Sequence, residues 1–293
     1  MSENFANEYL LQNKLSSESP DLQKRVHDTV FVLKDMLYSY LNRFKTFTDH
    51  SLMHSLNVLY YCNQLIGPEQ IQKLTPEECY VLIMACYLHD IGMGINEKDY
   101  IQLSEAIPFG DYFQNNSQDD TARIIRDFHN EYSGLLIRKY AELFDFPSEE
   151  LQYAVIQVSR GHRKTDLFDE NEYPDLPVGS GTLHLAYLSA VVRLADEIDV
   201  ASDRNPELLF DSSKLTQKRD IEVFGTHESI RSLKIEEERI ILYTRPKSPE
   251  YVSLIQKLTD KIQKTLDYCR DVAEKRSGFR ITQEQVVVLQ DQD

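Results

Sequence analysis

Apolar residues recur every three or four positions along most of this chain, then switch to alternation near residues 220–245. Ser19-Pro20-Asp21 reads as a helix start, and Val26, Val30, Leu33, Leu37 and Leu41 carry the repeat to about residue 43. Thr46-Phe47-Thr48-Asp49 opens a second helix with His50, His54, Val58, Tyr61 and Leu65 at helical spacing, which Gly67-Pro68 ends. Thr75-Pro76-Glu77-Glu78 is a capping box, and Val81, Met84, Ala85 and Leu88 continue from it to His89-Asp90. Asp119-Asp120-Thr121 and Pro147-Ser148-Glu149-Glu150 start two more helices, the second ending near Gly161-His162. From Thr182 an apolar helix runs through Leu185, Leu188, Val191, Val192, Leu194, Ala195 and Ile198.

Residues 92–118 and the acidic stretch 165–181 carry Gly, Pro, Asn and Ser with little period and predict loops. Residues 220–224 and 230–245 alternate, which predicts two or three strands with a charged turn at Glu236-Glu237-Glu238. A long helix follows over 249–276. Its stripe of Leu254, Leu258, Ile262, Leu266, Cys269 and Val272 is expected to pack on its own sheet, or otherwise to form a subunit contact in a homo-oligomer. The pattern divides the chain into an N-terminal arm (1–19), a helical domain (20–205), a small α+β appendage (206–280) and a frayed tail (281–293). The expected class is therefore mainly α, with a helical bundle first and mixed structure after it.

Composition narrows what such a bundle does. No apolar run approaches the ~18 residues that span a membrane, and Met1-Ser2-Glu3-Asn4 lacks the basic region and apolar core of a signal peptide. Cys62, Cys79, Cys86 and Cys269 have no ligand-like spacing and read as reduced core residues, so a cytoplasmic location is expected. The formal net charge of −16 argues against a general grip on nucleic acid. A small anionic substrate remains compatible with it where a metal or a local Arg/Lys cluster overcomes the global field.

The candidate chemistry lies in polar residues that interrupt apolar helical faces: His50, His54, His89, Asp90, His129, His162 and Asp196. Buried helices avoid ionisable groups unless these are paired or bound to metal. His89-Asp90 is the most telling pair. Neighbours on a helix point about 100° apart, so one metal takes both only near a helix end, which Gly92 and Gly94 supply. The mixed imidazole and carboxylate set suits Mn²⁺, Fe²⁺, Co²⁺, Ni²⁺ or Zn²⁺, with Mg²⁺ completing the range, and one or two ions are expected.

In these positions the chain resembles the HD-domain phosphohydrolases. His54-Ser55-Leu56-Asn57-Val58, then Leu88-His89-Asp90-Ile91-Gly92, then Leu194-Ala195-Asp196 follow the ordered H…HD…D signature over about residues 45–205. The resemblance implies an HD-domain helical bundle holding a metal on His54, His89, Asp90 and Asp196. It also implies hydrolysis of phosphate esters and anhydrides, among them deoxynucleoside triphosphates, cyclic nucleotides and dinucleotides, and (p)ppGpp. Phe128-His129-Asn130-Glu131-Tyr132-Ser133 is similar to a segment of the dNTP triphosphohydrolase branch, where the His helps protonate the leaving group. His129 is thus a catalytic candidate beside Asp90. His129 and His162 also fall where two-metal members place extra ligands. Met93 in place of Lys, with no GYP segment, separates the chain from the HD-GYP branch.

Arg126, Arg160, Arg163, Lys164 and Arg193 are candidates for neutralising a phosphate, with Arg163 and Lys164 foremost because they follow His162. His50, one turn before His54, is a second candidate substrate contact. His27, His184 and His227 read as structural, and Glu131 lies two residues from His129, the wrong spacing for a dyad. Three functions compete: a metal-dependent nucleotide phosphohydrolase, a nucleotide-sensing protein that binds without turnover, and a nuclease. The complete set of four ligands favours the first, and the net charge disfavours the last.

Overall fold

Helix α5 (Pro76–Leu88) is buried on every side from Glu78 to Leu88, and the other helices are arranged around it. A helix apolar all round belongs at the centre of a bundle. The computed structural model describes residues 9–43, 52–118, 120–179, 181–201 and 218–290. The helices in chain order are α1 (Leu10–Glu18), α2 (Pro20–Arg43), α3 (Leu52–Ile66), α4 (Pro68–Ile71), α5, α6 (Glu97–Ser104), α7 (Tyr112–Asn115) and α8 (Thr121–Lys139). They continue with α9 (Ala141–Phe144), α10 (Glu149–Gly161), α11 (Leu185–Ile198), α12 (Lys218–Glu228) and α13 (Pro249–Arg276). Helix α5 packs against α1, α2, α3, α10 and α11, while α8 lies on α10 and on a 3-10 turn at Ile91–Gly94. The mainly α class holds, with small sheets only. No single helix among the described residues is long and apolar enough to cross a membrane.

The predicted starts of α2, α5, α8, α10 and α13 are present. Thr75 closes the box on α5: its hydroxyl accepts from the Glu78 N–H at 3.1 Å, and its own N–H donates to Glu78 Oε2 at 2.9 Å. Ser148 and Asp120 cap α10 and α8 through their side chains. The Thr46–Asp49 start and the boundary near Pro206 lie outside the described residues.

Several expectations need correction. The N-terminal arm contains α1, whose Leu11 and Leu15 are buried, and the Leu11 N–H donates to Asn63 Oδ1 on α3 at 2.9 Å. Residues 92–118 are not a plain loop but contain the 3-10 turn, α6 and α7. Their polar residues bond inward: buried Asp99 takes Lys139 Nζ at 2.6 Å and the Tyr140 hydroxyl at 2.5 Å, fastening α6 to the end of α8. The 165–181 stretch ends in a hairpin of β1 (Asp175–Val178) and β2 (Gly181–His184), so the following helix starts at Leu185 rather than Thr182.

Residues 220–224 are helical, not extended. Ile221-Glu222-Val223-Phe224 is too short for period two to exclude a helix, and Gly225 lets α12 press on the Tyr251 ring of α13. The strands are β3 (Ile230–Ile235), β4 (Arg239–Thr244) and β5 (Gln285–Gln290), in the order β3-β4-β5. β3 and β4 are antiparallel around the predicted Glu236–Glu238 turn, and β5 runs parallel to β4 after the α13 crossover. β5 occupies the tail that was expected to fray. Its β-branched run Val286-Val287-Val288 pairs with Ile240-Ile241-Leu242.

Helix α13 buries Ile262, Leu266, Cys269 and Val272 as its stripe predicts, but the sheet is only part of what it covers. It packs most broadly on α11, and Lys261 pairs with Glu197 there at 2.7 Å. Tyr268 and Arg276 of α13 also hold the chain that follows His162, through the Leu167 N–H and the Leu167 and Tyr173 carbonyls.

Candidate metal centre

Helix ends and glycines bring the polar residues together. Helix α5 stops at His89, and Asp90 adopts φ −105°, ψ 5°, outside the helical region, so the two side chains no longer diverge as helix neighbours do. The next turn lies directly on α8. A Cβ on Gly92 would collide with the His129 carbonyl oxygen and stand 2.7 Å from the Ser133 N, while the Gly92 N–H donates to Ser133 Oγ at 2.9 Å. Gly94 has open space around it and serves only to end the turn. Helix α8 breaks regularity at Phe128 (φ −124°, ψ 16°), immediately before His129. Gly161 has no room for a side chain against Ser189 of α11, which seats His162 at the buried end of α10.

His54, His89, Asp90, His129 and His162 are all buried, and the Asp196 side chain is 25% exposed at the edge of the cluster. Asp90 lies in the middle. Its Oδ2 is 3.5 Å from His54 Nε2 and 3.6 Å from His89 Nε2. Its Oδ1 is 3.1 Å from His129 Nε2 and 3.7 Å from His162 Nε2. Asp196 Oδ1 stands 3.2 Å from His54 Nε2. The donor atoms form two groups, His54/His89/Asp196 and Asp90/His129/His162, with members of each within 4.8 Å of one another, and either group could hold a metal ion.

The outer nitrogens explain the orientation of the rings. His89, His129 and His162 each direct Nδ1 at a backbone carbonyl three residues earlier: Cys86 at 3.0 Å, Arg126 at 2.7 Å and Ser159 at 2.6 Å. His54 directs Nδ1 at Asp199 Oδ2, 2.6 Å away. A nitrogen facing an oxygen that only accepts must carry the proton. All four Nε2 lone pairs therefore face inward, His54 to His89 at 3.2 Å and His129 to His162 at 2.9 Å, among carboxylate oxygens. Lone pairs facing one another in this way are satisfied by a cation, so the donor set fits a divalent metal.

Burial, with the neighbouring imidazoles, pushes His162 well below the usual imidazole range, and burial likewise lowers His89. Both are thus held neutral, the form that binds metal. Burial alone would raise Asp196, but the adjoining His54 and His89 rings outweigh it, and the carboxyl is held well below its ordinary value.

The candidate cations divide. Arg160 is committed to Glu131 at 2.9 Å and Glu172 at 2.7 Å, which also places Glu131 in an ion pair rather than in a dyad with His129. Arg193 donates to the Gly161 and Thr165 carbonyls at 2.8 Å and braces the His162 corner. Arg163 and Lys164 stay partly exposed beside Asp127, at 4.0 and 3.8 Å from its Oδ1, and Lys164 Nζ lies over the Phe128 ring. Arg126 contributes its carbonyl to His129. His50 lies outside the described residues. His184 pairs with buried Glu78 at 2.8 Å, in keeping with a structural role. Asp199 was not among the residues singled out from the sequence. Its one signal is its place three residues beyond Asp196, where α11 ends.

Compared with models of protein families, residues 44–277 match the one described as HD-CE, a span that includes every donor above and the whole of α13. No curated protein matches the sequence.

Proposed function

The chain belongs to the HD-CE family, and from that membership and its donor cluster we propose that it is a metal-dependent phosphohydrolase cleaving a phosphoester or phosphoanhydride bond of a nucleotide-like substrate. One observation carries the reading. Asp90 turns one carboxylate oxygen to His54 and His89 and the other to His129 and His162. Such a carboxylate could serve two ions, with His54, His89 and Asp196 holding one and His129 and His162 the other, which would put Asp90 at the catalytic centre of the arrangement. Divalent ions bound there would lower the pKa of a coordinated water towards neutrality and polarise the phosphoryl oxygen.

The protein's own contribution is position and charge. The imidazoles wall off the interior, and the partly exposed Asp196 marks the side on which a phosphate enters. Arg163 and Lys164, held beside Asp127, would exchange that carboxylate for the phosphate. His129 Nε2 points at Asp90 and His162, which favours a ligand over a proton donor to the leaving group.

Elemental analysis of the purified protein should give two ions per chain, and His162→Ala should give one. A phosphate-release screen over nucleoside mono-, di- and triphosphates should find turnover that chelation abolishes. One ion in both proteins would return His129 and His162 to proton transfer or substrate contact. Nucleotide binding without release would support the sensing function instead.

A further inference from the structure

Three of the four inward-facing imidazoles are oriented by neutral backbone carbonyls, and one by a buried carboxylate. Asp199 has no exposed surface. Helix α11 ends there, with φ −77°, ψ 72°, and this turn brings the carboxylate back against α3. Its Oδ2 accepts from His54 Nδ1 at 2.6 Å, and its Oδ1 accepts from Asn57 Nδ2 at 3.2 Å. His54 and Asn57 are one helical turn apart on α3, so a single carboxylate holds both the ring and the helix that carries it. Asp196 reaches the other side of the same ring from the same helix end, 3.2 Å from Nε2. His54 thus stands between two carboxylates from this end of α11, with Asp199 hydrogen-bonded to Nδ1 and Asp196 beside the unprotonated Nε2.

We propose that Asp199 is a positioning residue that fixes His54 as the Nδ1–H tautomer and makes the His54/His89/Asp196 group the tighter of two metal sites. An anionic acceptor on Nδ1 increases electron density at Nε2 more than a neutral carbonyl does, and removing such a partner typically weakens metal affinity about 10–100-fold. The carbonyl-backed pair His129 and His162 has no described equivalent and shares Asp90 with the first group, so it takes its ion second. This inference rests on the two-ion reading of the site.

The test uses the full chain, stripped of metal and titrated with Mn²⁺ by calorimetry, beside ¹⁵N NMR of the histidine rings in the metal-free protein. Wild type should show a tight and a weaker event. Asp199→Asn should weaken the tight event at least tenfold and leave the weaker one within about threefold. In the metal-free protein His54 should be a single Nδ1–H tautomer, mixed in Asp199→Ala, with the other three rings unchanged. A tight event of unaltered affinity in Asp199→Asn, or a His54 tautomer that survives Asp199→Ala, would overturn the proposal. A wild type that binds no Mn²⁺ would overturn the two-ion reading, and the tautomer measurement would still decide whether Asp199 sets His54.

Discussion

His54, His89 and Asp196 come from α3, α5 and α11, three helices packed side by side in the middle of the bundle. His129 and His162 come from α8 and the end of α10, two helices packed on each other. The first group is backed by a buried carboxylate at His54 and a carbonyl at His89, and includes the partly exposed Asp196. The second is backed by carbonyls and meets the first through Asp90, the Gly92 turn and the edge contact of the His89 and His162 rings, 4.9 Å between centroids. On the two-ion proposal, a site built in this way would separate two duties: one half would hold its ion tightly, while the other would take its ion second.

The strongest challenge to this comparison is Asp90→Ala, which removes the shared carboxylate. It should abolish both metal retention and phosphate release, and full occupancy with an undiminished rate would refute the bridge. Next come paired deletions. His89→Ala should lose both ions, since the first site seats Asp90, whereas His162→Ala should lose one, and equal losses by elemental analysis would make the halves equivalent.

Gly92→Ala separates the halves by force. The added methyl group meets the main chain of α8 rather than a yielding side chain, so it should cost about 1–3 kcal/mol, read as a lower midpoint in denaturant. A smaller effect is expected from acid. His89 and His162 are lowered by burial, so an unfolded chain takes up protons below about pH 6.5 that the native state refuses. Stability of the metal-free protein should be level above that pH and fall as pH drops through it, with a shallower fall in His162→Ala.

The smallest effect has the opposite sign and lies outside both halves. The hydrogen bond that His184 donates to Glu78 raises His184, so its contribution is fully present below about pH 6.5 and is lost as pH rises through the raised value. Glu78→Gln keeps a side chain able to cap α5 and should remove that slope at a cost of about 1 kcal/mol or less, seen in melts between pH 6 and 9.

Much of the first half was legible because its signals are local. A capping box, an apolar run and a glycine turn state where α5 begins and ends, and a His-Asp pair at that end has few other uses. Its carboxylate brace was not legible. Asp199 acts across 145 residues, and a charged residue at a helix end commonly faces solvent. The second half shows the same limit. His129 and His162 drew notice by interrupting apolar faces, but the Phe128 irregularity that aims His129 has no sequence mark. Segments whose structure depends on distant partners were misread together: α6, fastened by Asp99 to Lys139; α12, seated on Tyr251; and β5, paired with β4. The α13 stripe announced a buried face without saying that most of it covers α11.

The seal over α11 has a consequence for how the chain is made. Phe279 stacks on Tyr187 at 4.6 Å, and Arg280 exchanges two main-chain hydrogen bonds with Gln70, 210 positions earlier. Synthesis delivers α11 well before α13 and this returning segment. Until they emerge, the nascent chain holds an apolar helix whose outer face has no cover, a state prone to sticking to its neighbours. The donors of the first group can gather in that interval, but they do so on an unsealed support. The order of emergence therefore leaves the covering of α11 until the C-terminal segments are made.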